Sequence, residues 1–473
     1  MNNGVKPNFQ TRTEKDLLGE ASVPVDALYG IQTCRAIENF KLSGVPISHF
    51  PEMIIALATV KQACAAANNQ LGLLSSEKFN AIKTACEQLQ QGQHHDSFQV
   101  DMIQGGAGTS TNMNANEVIA NLALQNLGYA LGDYQHLHPN DDVNMSQSTN
   151  DVYPSAVRLA ILLSHGALVD SLKSLRDAMA VKAAEFSDVI KMGRTQLQDA
   201  VPMSLGQEFR SFATTLNEDV DRIAHLSELL TEVNLGGTAI GTGINAHHQF
   251  GEIAVQALSE LSGLPMVLAG DLIEASSDMG AFVLFSSMLK RLAIKLSKIA
   301  NDLRLLSMGP RAGLGEINLP AQQPGSSIMP GKINPVIPEA VSQVAYKIIG
   351  HDLAVTMAAE AGQLQLNAME PLIAYSVLDS IVLLTRAMHM FEHKCITGIT
   401  ANIEHCRAQV DNSIGIITAV NPYIGYENAS RIAKLALSSG RAVLDIVLEE
   451  GLLSEEKLIA ITNPKNLITP TFS

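Results

Sequence analysis

The sequence predicts a mainly α-helical protein built around a central bundle of five long helices, and three observations carry that prediction. Its 473 residues include no Trp and only 4% aromatics, and the abundant Ala, Leu and Met are good helix formers. Phe282, Phe285, Leu289, Leu292, Leu296, Ile299, Leu303 and Leu306 form an unbroken heptad series, the mark of a long helix with one apolar seam. Stripes of the same kind recur on both sides of the turn KMGRTQLQDAVPM.

Taken in order, residues 1–150 mix short helical segments with Gly- and Asn-rich turns. The most unusual are QGGAGTSTNMNAN, Gln104 to Asn116, and HPNDDVNMSQSTND, His138 to Asp151. A first rod is expected from about 155 to 190, because Leu168, Leu172, Leu175, Met179, Phe186 and Ile190 recur at helical steps. The loop KMGRTQLQDAVPM reverses the chain, and Leu205, Phe209, Phe212, Leu216, Val220 and Ile223 build the return rod. After the Gly-rich break LGGTAIGTGIN, Leu235 to Asn245, comes the heptad rod, then helices near 336–360 and 371–393. From Gly398 onward shorter helices alternate with Asn/Pro turns. Three consecutive segments follow: 1–150 mixed and mostly helical, 151–397 the long-helix bundle, and 398–473 a small helical domain.

A net charge of −15 favours neither nucleic acid nor an anionic membrane as partner. A small anionic substrate remains open, since a local cationic pocket decides that. The first twenty residues are polar and lack the apolar core of a signal peptide. No apolar run is expected to approach membrane-spanning length. Five scattered cysteines without CxxC spacing, Cys34, Cys64, Cys86, Cys395 and Cys406, suit a reducing cytoplasm and argue against zinc or a disulfide framework. No nucleotide-binding glycine motif occurs.

The candidate chemistry centres on GSSIMPGKINP, Gly325 to Pro335, a Gly/Ser loop running into a helix that tolerates Pro335 and Pro338 at its start. Free N–H groups, the helix dipole and Lys332 would converge there on an anion. Read only as residues, the loop is equally a surface connector. Ser326 is a candidate base if cationic and N–H donors stabilise its alkoxide; Lys332 alternatively clamps a carboxylate. Thr109, Ser110 and Thr111, and likewise Ser148, Thr149 and Asn150, read either as helix caps or as two sets of neutral donors for a carboxylate. Thr195 and Gln196 stand at a polar corner. The histidines show no metal or triad spacing, and Glu274 and Glu370 read as bridges between helices or polar turns. A rod over 155–190 is roughly 50 Å long, so Ser148–Asn150 and Thr195–Gln196 lie too far apart to share a ligand within one chain. A homo-oligomer with composite sites is therefore expected.

GTSTNMNANE, SQSTNDVYPS and GSSIMPGKINP, in this order and spacing, resemble the three signature regions of the aspartase/fumarase superfamily. The resemblance spans essentially the whole chain from LLGEASVPVDALYGIQTCRAIENF onward and implies that superfamily's three-domain helical fold. Thr149, Gln196, DLIEA and NAMEP resemble the ammonia-lyase branch; Gly331 and HPNDDVN lean towards the fumarase branch, and Met145 departs from a lysine common to both. The implied reaction is reversible elimination of ammonia from L-aspartate to give fumarate; fumarate hydratase and a catalytically silent helical scaffold are the alternatives. By resemblance, Ser326 takes the proton, and Thr109, Ser148, Thr149 and Ser327 stabilise the aci-carboxylate. Lys332 and Asn334 hold the α-carboxylate, and Asn150, Thr195 and Gln196 face the amine. A cytoplasmic homotetramer without organic cofactor is also implied. Divalent metal activation belongs to the family, but no ligand cluster in this sequence points to it.

Overall fold

The computed structural model describes residues 10–469. Residues 1–9, part of the polar opening stretch, and 470–473 lie outside that range. Helices dominate, and eight short strands pair two by two into four ribbons among the described residues.

A hairpin of β1 (Thr11–Asp16) and β2 (Gly19–Pro24) precedes α1 (Ile31–Asn39), α2 (Pro51–Gln70), α3 (Ser76–Gln90) and α4 (Thr109–Asn126). The first rod, α5 (Thr149–Glu185), leads into β3 (Ile190–Thr195), β4 (Gln198–Ser204) and the returning α6 (Leu205–Leu226). Next come β5 (Glu232–Val233), α7 (Phe250–Ser262), β6 (Val267–Leu268), α8 (Leu272–Ala275), α9 (Gly280–Leu306) and β7 (Ile317–Asn318). The last two rods are α10 (Val336–Glu360) and α11 (Glu370–Lys394). The chain ends with β8 (Thr400–Ala401), α12 (Ile403–Asn412), α13 (Ile417–Ile424), α14 (Tyr426–Ser439), α15 (Val443–Glu449), α16 (Glu455–Ile461) and α17 (Pro464–Leu467).

The stripes read from sequence are the buried faces. All eight heptad residues of α9 are at most 5% exposed, and Leu168, Leu172, Leu175 and Met179 of α5 are fully buried. Three expectations need correction. The first rod starts earlier and stops at Glu185, so Ile190 belongs to β3. KMGRTQLQDAVPM is no plain loop: most of it forms the antiparallel β3–β4 hairpin, with Thr195 opposite Gln198 and a register slip between Met192 and Arg194. Ile190 to Gly193 are all buried along β3, so the apolar stripe there continues without a helical period. A third correction concerns apolar runs. Thr149–Glu185 and Glu370–Gly398 are long and apolar enough to cross a membrane by length and composition, although 78% and 67% of their apolar windows are buried within the protein.

Two compact units share the chain, Met1–Leu168, Ile223–Lys290 and Lys347–Leu383 in one, Val169–Arg222, Arg291–Tyr346 and Leu384–Ser473 in the other. Each of the five cuts falls inside one of the five rods. In the first unit α2 packs on α3 and α7, and α3 on α4. The Ala-rich α2 is buried almost all round, as a core helix without a polar face must be. In the second unit Ile190 and Met192 of β3 join Val410, Ile416, Val420, Ile432 and Val447 in one apolar cluster, which anchors the hairpin to the C-terminal helices.

Candidate active site

In the first unit the turn Gly106–Gly108 runs through three successive left-handed residues, with φ of 90°, 55° and 89°. Gly108 is obligatory because a Cβ there would lie 2.5 Å from the ring of Tyr153. The turn is locked by Gln104, whose Oε1 accepts from Thr111 N and Thr111 Oγ1, both at 3.0 Å. Thr109 is exposed, and its hydroxyl donates to Gly106 O at 2.7 Å. Its proton must turn away from that carbonyl to serve a ligand.

Ser148 caps α5 reciprocally: its Oγ accepts from Asn150 N at 3.2 Å, and Asp151 Oδ1 accepts from Ser148 N at 2.9 Å, a capping box with aspartate in the third position. Thr149 Oγ1 accepts from Asn112 Nδ2 at 3.1 Å. Both hydroxyls therefore have an acceptor lone pair satisfied from within, and their protons remain available to a carboxylate. Behind them Asn144 Oδ1 accepts from Lys61 Nζ at 2.8 Å and from Asn112 and Asn116 at 3.2 Å. Lys61 also donates to Gln147 Oε1 at 2.9 Å. Burial pulls the Lys61 ammonium down to about 7 and pushes the Asp151 carboxyl up to about 6, against the N–H groups that favour its anion.

In the second unit Thr195 ends β3, and Gln196 and Leu197 form the hairpin tip with φ of 55° and 62°. Two left-handed residues in a two-residue loop make a type I′ turn. Thr195 and Gln196 are exposed. Beneath the tip, Lys191 and Arg194 pair with the fully buried Glu316.

The GSSIMPGKINP loop is pinched at its neck. Gly325 N donates to Lys332 O at 2.8 Å, and Asn334 Nδ2 donates to Gly325 O at 2.6 Å. A Cβ on Gly325 would lie 2.6 Å from Lys332 O, so this glycine permits close approach, whereas Gly331 supplies a left-handed turn at φ 81°. Ser326 Oγ accepts two backbone N–H groups, from Ile328 at 3.1 Å and Met329 at 2.9 Å. Ser327 and Lys332 are exposed, as are the apolar Ile328, Met329 and Ile333. A cavity of about 720 Å³ flanks the loop, lined by Arg304, Met308, Asn318, Lys332, Asn334 and Glu339; Ser326 and Ser327 do not line it.

The first unit thus brings Ser148, Thr149 and Asn150 onto one helix start, joined through Asn112 to α4, which Thr109 opens. The second holds Ser326, Ser327, Lys332 and Asn334 in one pinched loop. Sequence reasoning missed the supporting layer of Lys61, Gln104, Asn112, Asn144 and Asp151. Four of these stood inside the two polar turns; Lys61 was signalled only as a lone cation in an Ala-rich helix. Glu370 is not the expected bridge: it is buried, and among the described residues neither carboxylate oxygen has a hydrogen-bond partner. Among the described residues no three His, Cys, Asp or Glu side chains are grouped to hold a metal ion.

A family model described as Lyase matches residues 19–350, and one described as Fumarase C C-terminus matches 416–469. The aspartate ammonia-lyase of Pseudomonas fluorescens is 67% identical over 97% of this chain and 96% of that one. The aspartate ammonia-lyase of Escherichia coli K12 is 54% identical over 98% and 97%. A crystal structure of fumarate lyase:delta crystallin from Brucella melitensis bound to cobalt superposes with a TM-score of 0.95 at 57% identity, covering 98% of this chain and 100% of that one. A class II fumarase from Schistosoma mansoni gives 0.91 at 35% identity, with the same coverage.

Proposed function

The chain belongs to the lyase family that this model and these relatives define, and on that premise we propose that it deaminates L-aspartate reversibly to fumarate and ammonia, with Ser326 as the base. The mainly helical aspartase/fumarase-like fold expected from sequence is the fold of its neighbours. Relatives named aspartate ammonia-lyase, 54% to 67% identical along nearly the whole chain, support the reaction. The observation that carries the mechanism is the pair of N–H groups on Ser326 Oγ. Hydrogen bonds to the anionic form lower a hydroxyl's pKa, which is what a serine needs to act as a base.

In this reading the Ser326 alkoxide takes a proton from the substrate carbon next to the side-chain carboxylate. The C–H electron pair moves into that carboxylate, giving a dianionic aci-carboxylate. Thr109, Ser148, Thr149 and Ser327 donate to it, and stabilisation specific to this intermediate is what lowers the barrier. Lys332 and Asn334 hold the α-carboxylate. Collapse of the dianion expels the amine, which leaves as NH3 with the C–N pair, past Asn150, Thr195 and Gln196. The exposed Ile328, Met329 and Ile333 give the loop an apolar tip suited to closing over substrate and excluding water.

The proposed assembly is a cytoplasmic homotetramer with composite sites. Tyr346, Ile349, Leu353 and Met357 make an exposed apolar stripe along α10, between 37% and 65% exposed, suited to a second copy. The observed 37 residues of α5, roughly 55 Å at helical rise, keep the sequence argument for sites shared between copies. A separate C-terminal segment from 398, after segments 1–150 and 151–397, is supported by the match at 416–469.

The deciding assay follows fumarate's ultraviolet absorbance with L-aspartate and, separately, with L-malate. Absorbance rising with L-aspartate alone supports the reading. A rise with malate alone makes the protein a hydratase, and no rise with either ends the proposal.

A further inference from the structure

The Gly-rich stretch Leu235–Asn245 stands out in the sequence, and the proposed mechanism leaves it unused. It is a tightly packed loop. A Cβ on Gly241, at φ 93°, would lie 2.4 Å from the backbone of Leu272 and Ile273. Thr238 sits in the left-handed region at φ 55°, a conformation that β-branched residues rarely adopt. Its Oγ1 is buried and has no hydrogen-bond partner among the described residues. A strained residue of this kind persists only where its surroundings impose it.

Four hydrogen bonds impose it. Asp151 Oδ2 accepts from Gly236 N at 3.0 Å and Thr238 N at 2.9 Å. Asn234 Nδ2 donates to Asn150 O at 3.0 Å. Asn150 Nδ2 donates to Ala239 O at 2.8 Å. Only an N–H can face that carbonyl, so the contact fixes which way round the Asn150 amide stands. Among the described residues nothing donates to Asn150 Oδ1, so the amide presents a bare acceptor.

We propose that Asp151 and the strained Gly236–Ala239 loop are positioning elements that lock the Asn150 amide with Oδ1 outward, making this the part of the site that reads the substrate's ammonium. An oxygen acceptor attracts an ammonium and repels a carboxylate, so the orientation sets selectivity for an amine-bearing dicarboxylate. The inference rests on the L-aspartate reading above and goes further by assigning the orientation of Asn150, which faces the amine there, to a loop outside the three signature regions.

The test compares two ligands that differ only in the amine, using KM for L-aspartate and the inhibition constant of succinate on the assembled protein. Thr238→Gly relieves the strain and frees the loop; Asp151→Asn keeps one oxygen for Ser148 N and replaces the oxygen that clamps the loop. A charge-assisted hydrogen bond lost from one ligand weakens aspartate by about tenfold or more, while succinate stays within about twofold. If both ligands weaken together, the role is merely structural and the proposal fails. It fails equally if neither ligand moves in Thr238→Gly, which keeps every backbone N–H and decides the matter should Asp151→Asn not fold. Wild-type protein that forms no fumarate from L-aspartate is a separate result and ends the earlier reading instead.

Discussion

The backbone nitrogen of Met329 donates to Ser326 Oγ at 2.9 Å, so the hydroxyl three residues earlier in the loop is held by its own chain. Ile328 N completes the pair at 3.1 Å. The same contacts that stabilise an alkoxide also aim it, which makes Ser326 sensitive to the shape of the whole loop.

Ser326→Ala removes the proposed base and should leave the fold intact, since its hydroxyl bonds only to N–H groups of its own exposed loop. We expect kcat to fall by about 10²–10⁴-fold, the usual worth of a positioned base, with an unchanged circular dichroism spectrum. A rate within tenfold of wild type would reject serine as the base.

Lys332→Ala removes the cation proposed to hold the α-carboxylate. Both KM and kcat should suffer, because the ground state and the dianion lose the same partner. Steady-state kinetics that leave KM for L-aspartate unchanged would count against the clamp.

Gly325→Ala separates loop geometry from chemistry. The added methyl would lie 2.6 Å from Lys332 O and 2.9 Å from Asn334 N, so the neck must open. Turnover should fall well below wild type while the melting temperature holds, as the loop is exposed and carries little of the core. Unchanged turnover would show that the neck is not needed.

Gly108→Ala is expected to do the reverse and cost stability first. Its methyl would meet the fully buried Tyr153 ring at 2.5 Å, on a residue at φ 89°. Overpacking with backbone strain costs about 1–3 kcal/mol or more. A thermal melt should move down by several degrees.

Glu370 supplies a pH dependence. Burial raises its carboxyl from 4.5 to about 8, with the Arg158 guanidinium pulling the other way. A folded-state pKa above the unfolded one means that the folded protein holds the extra proton, so stability falls as pH rises from about 4.5 to 8. Glu370→Gln should raise the melting temperature above pH 8 and change it little near pH 5. A variant that melts lower at both values would show that the carboxylate is held favourably by Arg158.

The rods were legible because burial on one face leaves a period in the sequence: every heptad residue of α9 is buried. The β3–β4 hairpin was hidden. Its tip is Gln196-Leu197 in place of the Asn-Gly or Asp-Gly that usually announces a type I′ turn, and Ile190 happened to fall on the helical stripe. Motif residues such as Ser148 and Ser326 could be named in advance, but not which lone pairs their neighbours would satisfy. Glu370 looked like a bridge because a sequence does not show that its surroundings are apolar. Asn150 and Ala239 stand 89 positions apart, beyond any local pattern.

Tyr346, Ile349, Leu353 and Met357 leave a greasy ridge along α10. In the proposed assembly a second copy covers that ridge, and a newly synthesised chain carries it into water first, where sticky surface invites clumping. How fast the chain is made, and how crowded it is with copies of itself, will therefore shape the yield of good protein as much as the stability of the finished fold.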